Sequence, residues 1–158
     1  MGSRRSAGLL LFRRTPGSLP EVMIVHMGGP FWAKKNLGAW SIPKGEYEPT
    51  EAPLDAARRE FAEELGHEAP PGELLDLGEL AQAGGKLVRV WALEADLDVS
   101  QITSATFQME WPRGSGRMCE FPEIDRAAWF DMDAARTRLV KGQVGFLDAL
   151  TQRLGPHG

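Results

Sequence analysis

The chain has 158 residues, enough for one domain with a full core and little beyond it. With 42% hydrophobic and 25% charged residues it falls outside the disordered and fibrous classes, and a formal charge of −4 argues against a general binder of nucleic acid or of anionic membranes. The lone Cys119 cannot close an internal disulfide, no apolar run approaches the roughly 20 residues of a membrane span, and a cytoplasmic protein is expected.

Residues 1–5 are basic and are set apart as a candidate disordered tail of a single 1–158 domain. The apolar run that follows ends at Arg13-Arg14, too early for a signal-peptide core, and reads as a strand over Ala7–Phe12. A second run, Glu21–Met27, follows a polar turn-rich segment, so the two are predicted to pair. Gly28–Ala39 is a long loop carrying Phe31, Trp32, Lys34 and Lys35, and loops of that length are often functional. Trp40–Pro43 is short and extended and leads into a turn at Lys44-Gly45. Thr50 is a candidate N-cap for a helix to about Leu65, which Gly66 stops. Glu73–Gln82 and Lys86–Glu94 alternate around Gly84-Gly85 as a hairpin. Ser104–Trp111 and Ala127–Phe130 read as strands joined by a loop marked by Pro112, Gly114 and Gly116. Helices are expected over Asp133–Val140 and Gln143–Leu154, the latter presenting Val144, Leu147, Leu150 and Leu154 on one face. The sum is an α/β chain, a sheet covered by helices.

The chemistry concentrates on the first helix. At about 100° per residue, with Glu60 as zero, Glu64 falls near +40° and Glu63 near −60°, so three carboxylates share one sector. Pro53, Ala56 and Ala57 fall in the same sector and are small, so nothing bulky covers it; Leu54, Phe61 and Leu65 form a separate stripe for the sheet. Like charges at these spacings each cost a helix roughly 0.2 to 0.5 kcal/mol, and no lysine is interleaved to relieve them. Two readings are open: a solvated acidic face, or a site for a hard cation, with Mg²⁺ favoured because it takes carboxylate oxygens and shares them with phosphates. Gly45 lacks a Cβ, which would let its carbonyl approach a metal or phosphate. Arg59 could hold Glu51 or a neighbouring acid by charge-assisted hydrogen bonds, or simply be solvated.

In full register, Gly45, Glu51, Arg59, Glu60, Phe61, Glu63, Glu64 and Gly66 resemble the Nudix box, which spans residues 45–67; only His67 departs, standing where an apolar residue is usual. The resemblance implies an α/β/α sandwich with a mixed β-sheet between helices. It further implies hydrolysis of a nucleoside diphosphate linked to another group, such as a dinucleoside polyphosphate or a nucleoside triphosphate, with Mg²⁺ or Mn²⁺ as cofactor. On that resemblance Glu60, Glu63 and Glu64 are the metal ligands, with a carbonyl contribution from Gly45, and Arg59 and Glu51 are the supporting pair. A general base could lie later, at Glu120 or Glu123, or both could be plain loop carboxylates.

Trp40-Ser41-Ile42-Pro43-Lys44-Gly45 resembles the lead-in of dinucleoside polyphosphate and diphosphoinositol polyphosphate hydrolases, although the tyrosine often found after the box in the dinucleoside polyphosphate enzymes is missing. Lys44 could meet an extra phosphate or be solvated. Phe31 and Trp32 could stack a nucleobase or anchor their loop. Trp91, Phe107, Trp111 and Trp129 are assigned to the core, and His26 and His67 are read as bystanders. The expected partner is a small nucleotide substrate, with no stable nucleic-acid or membrane partner, in a monomer or homodimer. The alternatives are an ADP-ribose or nucleotide-sugar pyrophosphatase, or a silent nucleotide-binding module. The module would show a damaged box. An isomerase on the same fold would need ligands that Cys119 alone does not supply.

Overall fold

A computed structural model describes residues 4–155. In chain order the elements are β1 (Arg5–Arg13), β2 (Glu21–Met27), β3 (Trp40–Ser41), β4 (Lys44–Glu46), α1 (Pro53–Leu65), β5 (Leu74–Ala81), β6 (Leu87–Glu94), β7 (Thr106–Glu110), β8 (Met118–Pro122), β9 (Ile124–Asp131), α2 (Met132–Arg138) and α3 (Val144–Leu154). Of the suggested tail, residues 1–3 lie outside the described residues, while Arg5 already opens β1.

The mixed sheet is built around β1. It runs parallel to β6 from Arg5↔Leu87 to Phe12↔Glu94 and antiparallel to β4 through Ala7↔Gly45. Its apolar run is nearly continuous because the strand is covered on both faces. Leu9 and Leu11 enter the core under α1 with Met23, Phe61 and Leu65, whereas Leu10 and Phe12 enter the core under α2 and α3 with Ile24, Trp40, Phe146 and Leu147. Helices on both faces give the expected α/β/α arrangement. No helix among the described residues is long and apolar enough to cross a membrane.

Several expectations are corrected. β1 and β2 pair as expected, but only at Phe12↔Val22 and Arg13↔Glu21, because β4 takes the other part of that edge of β1 while β2 pairs along its length with β9. Lys44-Gly45 is not a turn but the start of β4. Thr50 does not cap α1. The helix starts at Pro53 after Ala52, with no side-chain cap, and proline suits that first position because its fixed φ needs no N–H. Gly66 ends it as expected, at φ 65°, with its N–H bonded to the Ala62 carbonyl.

The sequence also hid β8. The segment with Pro112, Gly114 and Gly116 does not lead to β9 but turns β7 back onto β8, in a two-stranded sheet running from Thr106↔Pro122 to Glu110↔Met118. Glu120 therefore lies on a strand, opposite Gln108. Trp111, expected in the core, is 41% exposed; Trp91 is buried, and Phe107 and Trp129 are half-buried.

Candidate active site

The small residues of α1 set the geometry. Ala56 and Ala57 are fully buried against the sheet instead of facing open space, so the helix axis comes close to β1 and β4. Glu60 is consequently pressed against Gly45: a Cβ on residue 45 would stand 1.9 Å from Glu60 Oε2 and 2.6 Å from its Cγ. Here glycine makes room for a carboxylate. One turn further on, Glu64 accepts the Lys44 backbone N–H at 3.2 Å. Glu63 lies at the outer edge of the face, with its side chain 57% exposed.

Arg59 supplies the counter-charge that the sequence reading found missing. Its Nε and Nη2 clamp the two oxygens of Glu51, each at 2.8 Å, and its Nη1 reaches Glu60 at 2.8 Å and Glu63 at 3.2 Å. The hydrogen bond from Arg59 holds the Glu51 carboxyl below its usual range, and the guanidinium is correspondingly held above its own. Burial raises Glu60 despite that same contact.

Glu64 is the most perturbed acid. Burial drives its pKa from 4.5 up to about 8; the Lys44 charge and N–H pull it down, while Glu60 and Glu123 push it further up. Glu123 also raises Glu60, so of the two later acids Glu123 is the one whose charge reaches both. Glu120 sits on the exposed face of the hairpin, alternating with half-buried Cys119 and Phe121.

Among the described residues, no three His, Cys, Asp or Glu groups converge as a ready metal cage. The donor set nevertheless fits a hard divalent ion: the oxygens are carboxylates, and Glu64 is a buried acid short of positive charge, which such an ion would provide.

Beside Gly45 a cavity of about 300 Å³ is lined by Lys44, Lys86, Ser6, Ser41, Gln82 and Gln143, among others. A larger hollow of about 750 Å³ lies on the other side, against Arg4, Arg5, Tyr47, Glu51 and Arg59. Phe31 is 60% exposed, with Lys35 Nζ 3.7 Å above its ring, while Trp32 packs edge-on to it and partly into the core beneath α3. Neither aromatic lines either cavity.

Two residues important to this geometry escaped the sequence reading. Gln143 is 1% exposed; its Oε1 accepts the Ile42 N–H at 2.8 Å and its Nε2 donates to Ser41 Oγ at 3.0 Å, pinning the strand that leads to Lys44. His26 is no bystander: it is buried and bonded to Asp125, 99 residues away. A distance of that kind leaves no local signal. His67 does make only a local contact, with the Glu68 carbonyl.

An α/β/α sandwich with an acid-bearing helical turn against Gly45 is the arrangement that the Nudix resemblance implies, and the family comparison assigns the class. The chain matches the NUDIX domain family over residues 2–150 and belongs to it, as a Nudix hydrolase. It is 33% identical over 116 residues to an RNA pyrophosphohydrolase of Erythrobacter litoralis (strain HTCC2594), covering 57% of this chain and 70% of that one. Among solved structures it is similar to a C. elegans Ap4A hydrolase binary complex, with TM-score 0.66, 20% identity, and 96% and 97% of the two chains covered. It is also similar to the NUDIX domain of Shewanella oneidensis NrtR complexed with ADP ribose, with TM-score 0.62, 15% identity, and 98% and 90% covered. At those identities the structural likeness speaks for the fold. The family acts on nucleoside diphosphates linked to other groups and generally uses divalent metal ions.

Proposed function

We propose that the protein is a Mg²⁺-dependent hydrolase of polyphosphate anhydrides carried on a nucleoside, with dinucleoside polyphosphates and 5′-triphosphorylated RNA ends as the leading substrates. The observation that carries this reading is the contact of two α1 acids with the strand that lines the Lys44–Lys86 cavity, Glu60 against Gly45 and Glu64 on the Lys44 N–H. The acids would hold the metal, together with the Gly45 carbonyl, and the lysines would hold phosphates beyond the one attacked. The choice of a dinucleoside polyphosphate and of an RNA carrying a pyrophosphate linkage follows the names of the Ap4A hydrolase and the RNA pyrophosphohydrolase that the chain resembles.

In this reading Glu60, Glu63 and Glu64 bind the divalent ion, and Arg59, clamped on Glu51, steadies Glu60 and Glu63 from the outer side. When bound, such an ion neutralises the diphosphate and lowers the pKa of water. Glu123 takes the proton of the attacking water. Lys44 and Lys86 neutralise the remaining phosphates, and most of the catalysis is positioning and charge compensation. Phe31, exposed on its loop, is available to stack a base, since an exposed ring accepts any base face.

The test is a substrate panel of diadenosine tetraphosphate, a 5′-triphosphorylated RNA oligonucleotide, ATP and ADP-ribose, each with Mg²⁺ and with EDTA. Hydrolysis of the first two in Mg²⁺ alone, lost in Glu64→Gln, is expected. Preference for ADP-ribose would replace the polyphosphate assignment. Binding of that compound without cleavage would leave a nucleotide-binding module.

A further inference from the structure

His26, next to the end of β2, is 1% exposed and works through both ring nitrogens. Nδ1 lies 2.9 Å from each carboxylate oxygen of Asp125, and Nε2 lies 2.6 Å from the Lys35 carbonyl. Both partners are oxygen acceptors, one on either side of the ring, so the imidazole bridges β9 and the Lys35 backbone. The edge of the ring packs on Trp40, with the centroids 5.1 Å apart. A polar group this deeply buried is retained where its partners are fixed.

What it fixes is an irregularity. β2 and β9 pair in step from Glu21↔Asp131 to His26↔Arg126; then Met27 pairs with Ile124, so β9 holds one extra residue, and that residue is Asp125. This is a β-bulge, a device that bends a strand and redirects the side chains next to it. The redirected segment begins at Glu123. Its N–H donates to the Ala105 carbonyl at 2.8 Å and its own carbonyl accepts from Gly28 N–H at 2.9 Å. Gly28 can lie this close only because it has no side chain: a Cβ there would stand 2.0 Å from the Pro122 carbonyl oxygen. The Glu123 carboxylate makes no hydrogen bond among the described residues that could aim it independently, so its direction is inherited from the bulge.

We propose that His26 and Asp125 are positioning residues of the hydrolase: the buried imidazole, bonded to the partly exposed Asp125 carboxylate, locks the β9 bulge and so holds Glu123 toward Glu60 and Glu64, while the same imidazole ties the Gly28–Ala39 loop to that strut. The catalytic half of this inference rests on the proposed role of Glu123 as proton acceptor. Its structural half does not, and the two are measured separately.

The experiment uses the full chain with Asp125→Asn, His26→Gln and Glu123→Gln, singly and with each of the first two combined with the third. Amide hydrogen exchange is read first, because it needs no turnover. The Gly28 N–H, which reports the bond to the Glu123 carbonyl, should exchange at least about ten-fold faster in Asp125→Asn and in His26→Gln while the β1 amides keep their protection. Unchanged protection at Gly28 in both variants overturns the proposal, whatever the activity. On diadenosine tetraphosphate at saturating Mg²⁺, Asp125→Asn should lower kcat about ten-fold with KM nearly constant, since a small misplacement of a reacting group costs that much or more. In the Glu123→Gln background the same change should be worth less than about two-fold, as expected of residues acting through one another. Equal factors in both backgrounds reduce the pair to a purely structural contact and overturn the positioning role. Full activity in Glu123→Gln removes the acid itself from the mechanism and overturns the catalytic half. Failure of the wild type on the whole panel would instead count against the hydrolase reading and leave the exchange result to decide the bulge.

Discussion

Glu60 and Gly45 share one volume: the carboxylate of the first occupies the place a side chain on the second would need, 1.9 Å from a Cβ at that position. Gly45→Ala must therefore move Glu60 or lift α1 from β4. Overpacking of this kind costs about 1–3 kcal/mol. The larger effect is expected on turnover, a fall of about 100-fold from displacing one ligand. Steady-state kinetics and Mg²⁺ calorimetry check this, and wild-type Mg²⁺ affinity in the variant would exclude Glu60 from the ligand set.

The metal-free protein should lose stability as pH rises. The folded pKa of Glu64, about 8, lies above the ordinary 4.5, so its contribution is fully present below pH 4.5 and is lost as pH climbs toward 8. Thermal unfolding of apo protein between pH 5 and 8 should show a falling Tm that Glu64→Gln flattens. Mg²⁺ should recover the loss at the alkaline end, because it binds the ionised form. A wild-type slope equal to that of the variant would contradict the assignment.

Arg59→Lys removes a fork that an ammonium cannot reproduce. Glu51 should return toward its usual carboxylate range, visible by NMR titration. Stability should change little, since the pair is solvent-accessible. Activity should fall about 10- to 100-fold, the usual cost of losing a residue that orients metal ligands. An unaffected kcat would confine Arg59 to the helix surface.

Gln143→Met keeps the side-chain volume and removes both hydrogen bonds, leaving the Ile42 N–H and the Ser41 hydroxyl short of a partner. The expected cost is about 1–3 kcal/mol, read in chemical denaturation. KM should rise more than kcat falls, because the strand released is the one that carries Lys44 to its cavity.

The helix that carries the acids was legible because its signals are local: a glycine stop at Gly66, a 3.6-residue period through Phe61 and Leu65, and carboxylates three and four apart. The alternation in β5 and β6 was equally plain around Gly84-Gly85. What could not be read were choices between long-range partners. Nothing near Ala7–Phe12 says that β6, some 80 residues on, fills one edge of β1 while β4 takes most of the edge that β2 was expected to line. Ala56 and Ala57 were placed at the right angle but given the wrong surroundings, because smallness suits both an open face and a tight interface. Cys119 to Phe121 alternates too briefly to stand out as a strand, and the extra residue at Asp125 exists only relative to its neighbour.

Those two alanines have a consequence for anyone altering the protein. The gap between the acids and the glycine strand is set by methyl groups that touch neither metal nor nucleotide, in the way that shims set the clearance of a bearing. A single added methylene at residue 56 or 57 would widen that clearance along the whole helix. Tolerance to substitution should thus be lowest in the packed layer behind the reacting groups and higher around the mouth of the cavity.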